Sequence, residues 1–163
     1  MQEEDGGEAE VTFSREDWDL LIGTPSEHAA IRIQRFGFPD AGNEWDANAL
    51  DCVVDVRGGA FHGAFHATLW TGDFVRFWQG IERLNRDVGG EVALETIEGQ
   101  IGIRLVCDRL GHVRIAVVAM DIPGTGNRLT LSFESDQTMF GPVLAQLESI
   151  VRRFPVRRGT SEA

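Results

Sequence analysis

Hydrophobic and polar residues alternate with a period of two along most of this chain, interrupted by two stretches with the wider spacing of a helix. In ALDCVVDVRGG, Leu50, Cys52, Val54 and Val56 fall on one side and Asp51, Val53, Asp55 and Arg57 on the other, which predicts a half-buried strand. Gly58 and Gly59 tolerate positive φ and predict a two-residue hairpin turn. AFHGAFHATLW should then return antiparallel, with Phe61, Phe65 and Leu69 on one face and His62, Ala64, His66, Thr68 and Trp70 on the other. Upstream, Ala29 to Gly37 reads as a strand with Ile31, Ile33 and Arg35 on one face, and the turn formers of FPDAGNEWDAN predict a loop.

Thr71-Gly72-Asp73 offers a helix cap, after which Phe74, Val75, Phe77, Trp78, Ile81 and Leu84 recur at helical spacing and Arg76, Gln79, Glu82, Arg83 and Asn85 lie opposite. Gly89-Gly90 ends that element. Four strands follow, in EVALETIE, QIGIRLVCD, HVRIAVVAMDI and NRLTLSFES, joined by turns short enough for an antiparallel meander. A last helix carries Val143, Leu144, Leu147, Ile150, Val151 and Phe154, with Arg152 and Arg153 at the negative end of its dipole and Pro155 as its stop. Asp136 suits its cap, but Pro142 inside the helix would clash with the carbonyl of Thr138, so either a separate first turn precedes it or it begins near Gly141. The pattern predicts an α+β fold: a mainly antiparallel sheet of about six to seven strands with two helices packed on one face and a polar face left open. Residues 1–10 are expected to be a disordered acidic tail, 11–155 a single α+β domain and 156–163 a flexible C-terminal tail.

The two histidines of FHGAFH could share a metal only in a helix. In a strand His62 and His66 stand roughly 13 Å apart, whereas ligands of one zinc each lie about 2 Å from it, and Gly63 between them disfavours a helix. A two-histidine, one-carboxylate site would have to draw on different strands, as His62 or His66 with His112 and Asp108. Glu95 and Glu98, three apart in a strand, would point to opposite faces, so they form no acid and base pair from one segment. A Cys-His dyad is disfavoured because Cys52 and Cys107 fall on the apolar face. PGTGNR lacks the third glycine and the strand-to-helix setting of a dinucleotide site and reads as a hairpin loop. No catalytic, cofactor or metal residues are assigned.

Charge narrows the partner. The net charge of −11 opposes nucleic-acid binding, which needs clustered positive charge. All 15 basic side chains are arginine, and there is no lysine or tyrosine, which removes Schiff-base, P-loop lysine and tyrosine chemistry. The two cysteines sit in apolar surroundings without CxxC spacing and are expected to be buried, reduced thiols. No apolar run approaches the about 20 residues that span a bilayer. The acidic MQEEDGGEAE is the reverse of a signal peptide, so a cytoplasmic protein without a membrane partner is expected.

What remains is the polar sheet face. His62, His66, Glu95, Arg104, His112, Arg114, Arg128 and Glu134 are the candidate partner-binding residues, with Asp51, Asp55, Arg57 and Thr130 extending the surface. Its plainest role is a solvated face of cross-strand ion pairs. Its functional role would be a protein-binding surface on an acidic molecule that steers a basic partner toward it. A small-molecule or metal-binding enzyme using the histidines and carboxylates of that face is the alternative. A homodimer formed through the Trp and Phe residues of the 74–84 helix is a further reading.

Several stretches resemble a known group. GAFHGAFHATLW, DFVRFWQGIERL, a glutamate-rich strand, the Asp108-to-Val113 turn, LTLSFESDQT and QLESIVRRFP follow one another as in a small uncharacterised bacterial family similar to the WapI-type immunity proteins, which sit beside contact-dependent toxins. The likeness spans roughly residues 45–155, and its most specific pieces are Gly111–Val113 and Ser135–Thr138. The resemblance implies a non-enzymatic, toxin-neutralising binding protein whose partner is a basic toxin domain, and it carries no catalytic residues onto this chain.

Overall fold

The computed structural model describes residues 13–158. Here the period-two segments form two antiparallel four-stranded meanders, each followed by a long helix. The first sheet contains β1 (Leu20–Gly23), β2 (Glu27–Phe36), β3 (Ala49–Gly58) and β4 (Phe61–Trp70) in sequence order, and α2 (Thr71–Asp87) leaves its last strand directly. The second contains β5 (Gly90–Leu94), β6 (Ile101–Cys107), β7 (His112–Met120) and β8 (Arg128–Asp136), and leads into α3 (Phe140–Arg153). α1 (Glu44–Ala47) is a single turn between β2 and β3. The expected single sheet is therefore two. The ladder breaks at the 17-residue helix between β4 and β5, because hairpins keep strands adjacent and a long crossover does not.

Each helix packs mainly against the edge strand of the other half, α2 on β5 and α3 on β1, and the two helices meet each other. One apolar cluster joins Ile31, Val54 and Leu69 of the first sheet to Ile103, Ile115 and Phe133 of the second, with Phe74, Phe77, Phe140 and Leu147 from the helices between them. The helix stripe considered for a homodimer is thus used internally: Phe74, Phe77 and Ile81 are fully buried. Among the described residues no helix is long and apolar enough to cross a membrane.

Several local expectations shift. β1 is a short, wholly apolar LLI run with no alternation to reveal it, and the Asn43 side chain accepts the Asp46 N–H to cap α1 within the expected loop. A bulge between Ile33 and Arg35 turns Arg35 to face Asp51 on the outer side, away from Ile31 and Ile33. The β3–β4 turn is Gly59-Ala60, because Gly58 still pairs with Phe61, and Gly59 takes φ 57°. Phe61, at the sheet end, is 64% exposed. β5 stops at Leu94, where the Thr96 hydroxyl donates to the Ile101 carbonyl and closes a turn, so Glu95 and Glu98 lie on a loop. A separate 3-10 turn, Gln137–Met139, does precede α3, which places Pro142 in the helix's first turn where it breaks no bond. The expected tail at 1–10 and residues 159–163 lie outside the described residues; Arg157, just before them, donates its N–H to Asn48 Oδ1 and accepts from Asn48 Nδ2.

Candidate functional site

Alternation aims every second residue of each sheet away from the shared core, so the molecule presents two outer faces. On the first, the register sets Arg57 beside His62, Asp55 beside Ala64, Val53 between Arg32 and His66, and Asp51 between Arg35 and Thr68. Asp55 is the hub. Its Oδ1 lies 2.6 Å from His28 Nε2 and its Oδ2 2.9 Å from His62 Nε2. Burial works to raise the Asp55 carboxyl, but the hydrogen bonds and positive charge of the two histidines outweigh it and hold the pKa below its ordinary value. His28 is fully buried although it belongs to the outer face, because Phe13 stacks on its ring at 4.2 Å. Arg32 lies over the neighbouring Trp18 ring at 5.5 Å.

On the second sheet the outward row Val106, Arg114 and Glu134 lies beside the row Ala93, Arg104, Ala116 and Ser132, with Thr130 and Arg128 further along β8. Arg104 pairs with Glu91. At one end Asp108 organises the β6–β7 turn: its carboxylate accepts the Leu110 and His112 N–H groups at 2.8 and 3.0 Å and faces His112 Nδ1 at 3.0 Å. The His112 N–H bond does most to hold the Asp108 carboxyl below its ordinary value. A shallow depression of about 440 Å³ opens beside Val106, His112, Arg114 and Glu134.

The eight candidate residues therefore do not share one face. His62 and His66 lie on the first sheet, Arg104, His112, Arg114, Arg128 and Glu134 on the second, and Glu95 on the β5–β6 loop. Among the described residues no group of three or more His, Cys, Asp or Glu side chains is arranged to hold a metal, so the considered set of His62 or His66 with His112 and Asp108 is not assembled. Cys52 and Cys107 are free and buried, and burial, reinforced by nearby aspartates, pushes both thiols up, away from the reactive thiolate.

Two residues mattered more than their sequence setting suggested. His28 opens a strand beside alanines, with nothing local to mark it as a partner of Asp55, 27 positions on. Gln100 precedes a strand as an ordinary loop residue, yet it is 4% exposed and its Nε2 donates toward the His66 and Asp121 carbonyls at 3.2 and 3.1 Å, tying the free edge of β4 to the second sheet. The two most specific pieces of the resemblance also meet in space, since the Gln137 N–H donates to the Gly111 carbonyl at 2.8 Å. Asp136 accepts the Thr138 N–H at 2.8 Å and so caps the turn before α3. These motifs build a junction between a hairpin and a helix start.

The model of the immunity protein WapI-like family matches residues 20–155, a span that takes in all eight strands and both long helices and begins well before the likeness read from the sequence. No curated protein matches the chain.

Proposed function

The chain belongs to the immunity protein WapI-like family, and on that premise we propose that it is a non-enzymatic module of the bacterial cytoplasm that neutralises a basic toxin domain by binding it. The observation that carries the docking surface is the outer face of the second sheet. There Arg104, Arg114, Arg128, His112 and Glu134 stand exposed around the small residues Ala116 and Ser132, so a partner can approach the strands closely while charged groups set its register. Glu91, Asp108 and Asp136 add carboxylates to that face and its ends, and the net charge of −11 attracts a basic partner from a distance. Inhibition by coverage needs no reacting group on this side of the interface.

Coexpression with the protein encoded next to this chain, which the reading expects to be toxin-like, is the test. An equimolar complex that restores growth and dissociates as salt rises is expected. Combining Glu91→Arg with Glu134→Arg, which sets like charge against a basic partner, is expected to weaken that complex roughly tenfold or more. A chain that neither protects the cell nor co-purifies with the neighbour overturns the proposal.

A further inference from the structure

Away from both sheet faces, three segments distant in sequence expose large apolar side chains around one cleft. Trp45 of α1 is 53% exposed, Ile97 of the β5–β6 loop 56% and Val156 after α3 52%. Together with Trp70 and the start of α2 they line a cleft of about 420 Å³. Its walls are fixed. Trp45 and Trp70 pack with ring centroids 4.9 Å apart, and the Trp70 indole N–H donates to the Trp45 carbonyl at 3.2 Å. Exposed apolar groups concentrated in one concavity, with tryptophan at the wall, are the usual chemistry of an interface anchor.

The charges around the cleft are unequal in availability. Arg76 is held by the buried Asp73 at 2.6 Å, and Arg157 donates to the Pro39 carbonyl while stacking over Phe36 at 4.7 Å. Glu44 lines the cleft and Glu95 and Glu98 flank Ile97, and among the described residues none of the three is in an ion pair. Asp73 accepts the Trp70 N–H at 3.0 Å, so the positive end of α2 is already answered. Within the lining, an apolar centre, an arginine already engaged by Asp73 and a glutamate in no ion pair together favour a cationic occupant.

We propose that this acid-rimmed cleft is the docking site for a basic segment of a partner protein. The segment sets an aliphatic side chain between Ile97 and Val156 and an arginine or lysine over the Trp45 indole, with its charge answered by Glu44 and Glu98. The site is distinct from the sheet face proposed above, and each stands or falls without the other.

The test is fluorescence anisotropy of a labelled peptide of alternating arginine and leucine titrated with the full chain at low salt, beside the same peptide with glutamate for arginine. Saturable binding of the basic peptide alone is expected. Affinity should fall about tenfold in Ile97→Ser and in the Glu44→Gln/Glu98→Gln pair, and stay unchanged in the charge-matched pair Glu16→Gln/Glu82→Gln, exposed away from the cleft. Trp45→Ala also removes a packing partner of Trp70, so the exposed Ile97 variant carries the decision. Absent saturable binding, equal binding of the acidic peptide, or native affinity in the Ile97 and glutamate variants would overturn the site.

Discussion

His28 shows how much one side chain can demand of its neighbours. Its Nδ1 lies 2.9 Å from the Thr24 carbonyl, which only accepts, and its Nε2 faces the Asp55 carboxylate, which also only accepts when ionised. A fully buried ring is thus held from both sides, with the largely buried Asp55 carboxylate as its partner at Nε2. Asp55→Asn is therefore expected to cost about 1–3 kcal/mol at neutral pH, measured by urea unfolding, because it takes the charged partner away from a buried polar group. The pH dependence has a definite sign. Asp55 is held below its ordinary value in the fold, so its contribution is complete above the ordinary carboxylate range and is lost as pH falls through the depressed value. The acid limb of the native stability curve below about pH 4 should be steeper than that of Asp55→Asn; equal slopes would remove Asp55 from the explanation.

At the level of elements, periodicity is trustworthy where both faces of a strand differ and silent where they do not. β3 buries Leu50, Cys52, Val54 and Val56 as its alternation demands, whereas β1 is apolar on both sides and leaves no such trace. Helix interiors add a constraint that propensity alone misreads. Gly80 sits in the middle of α2, where alanine would ordinarily be better by about 1 kcal/mol, but a Cβ there would overlap the Val92 side chain of β5. The helix approaches the sheet edge closely because that position is bare. Gly80→Ala is accordingly expected to destabilise by about 1–3 kcal/mol despite its propensity gain. Adding Val92→Ala should recover much of the loss in a double-mutant cycle followed by thermal unfolding. Additive losses would mean that the two positions do not oppose each other.

At the scale of the molecule, no ladder among the described residues connects the two sheets, which are joined through side chains. Leu131 of β8 lies against Gly58 at the end of β3, and Gln100 bridges the edge of β4 to the end of β7. A buried amide facing carbonyls from both sheets has no substitute donor. Gln100→Leu is expected to cost about 1–3 kcal/mol in urea unfolding by leaving those acceptors unpaired, and Gln100→Glu to cost more by turning an acceptor toward them. A Gln100→Leu variant as stable as the native chain would show that packing alone holds the halves together.

The alternation of residue types by itself determined which side of each regular strand meets the core, which strands are hairpin neighbours and where both long helices lie, because Cβ direction and turn chemistry are properties of a few consecutive residues. That same reasoning set His62 and Arg104 on one surface, since both point away from apolar neighbours. Only the tertiary structure decided that they belong to different sheets, that His28 finds Asp55, and that Trp45, Ile97 and Val156 surround one cleft. Those outcomes depend on how the two halves close over a common core, and packing partners so far apart in the chain leave no local period to read.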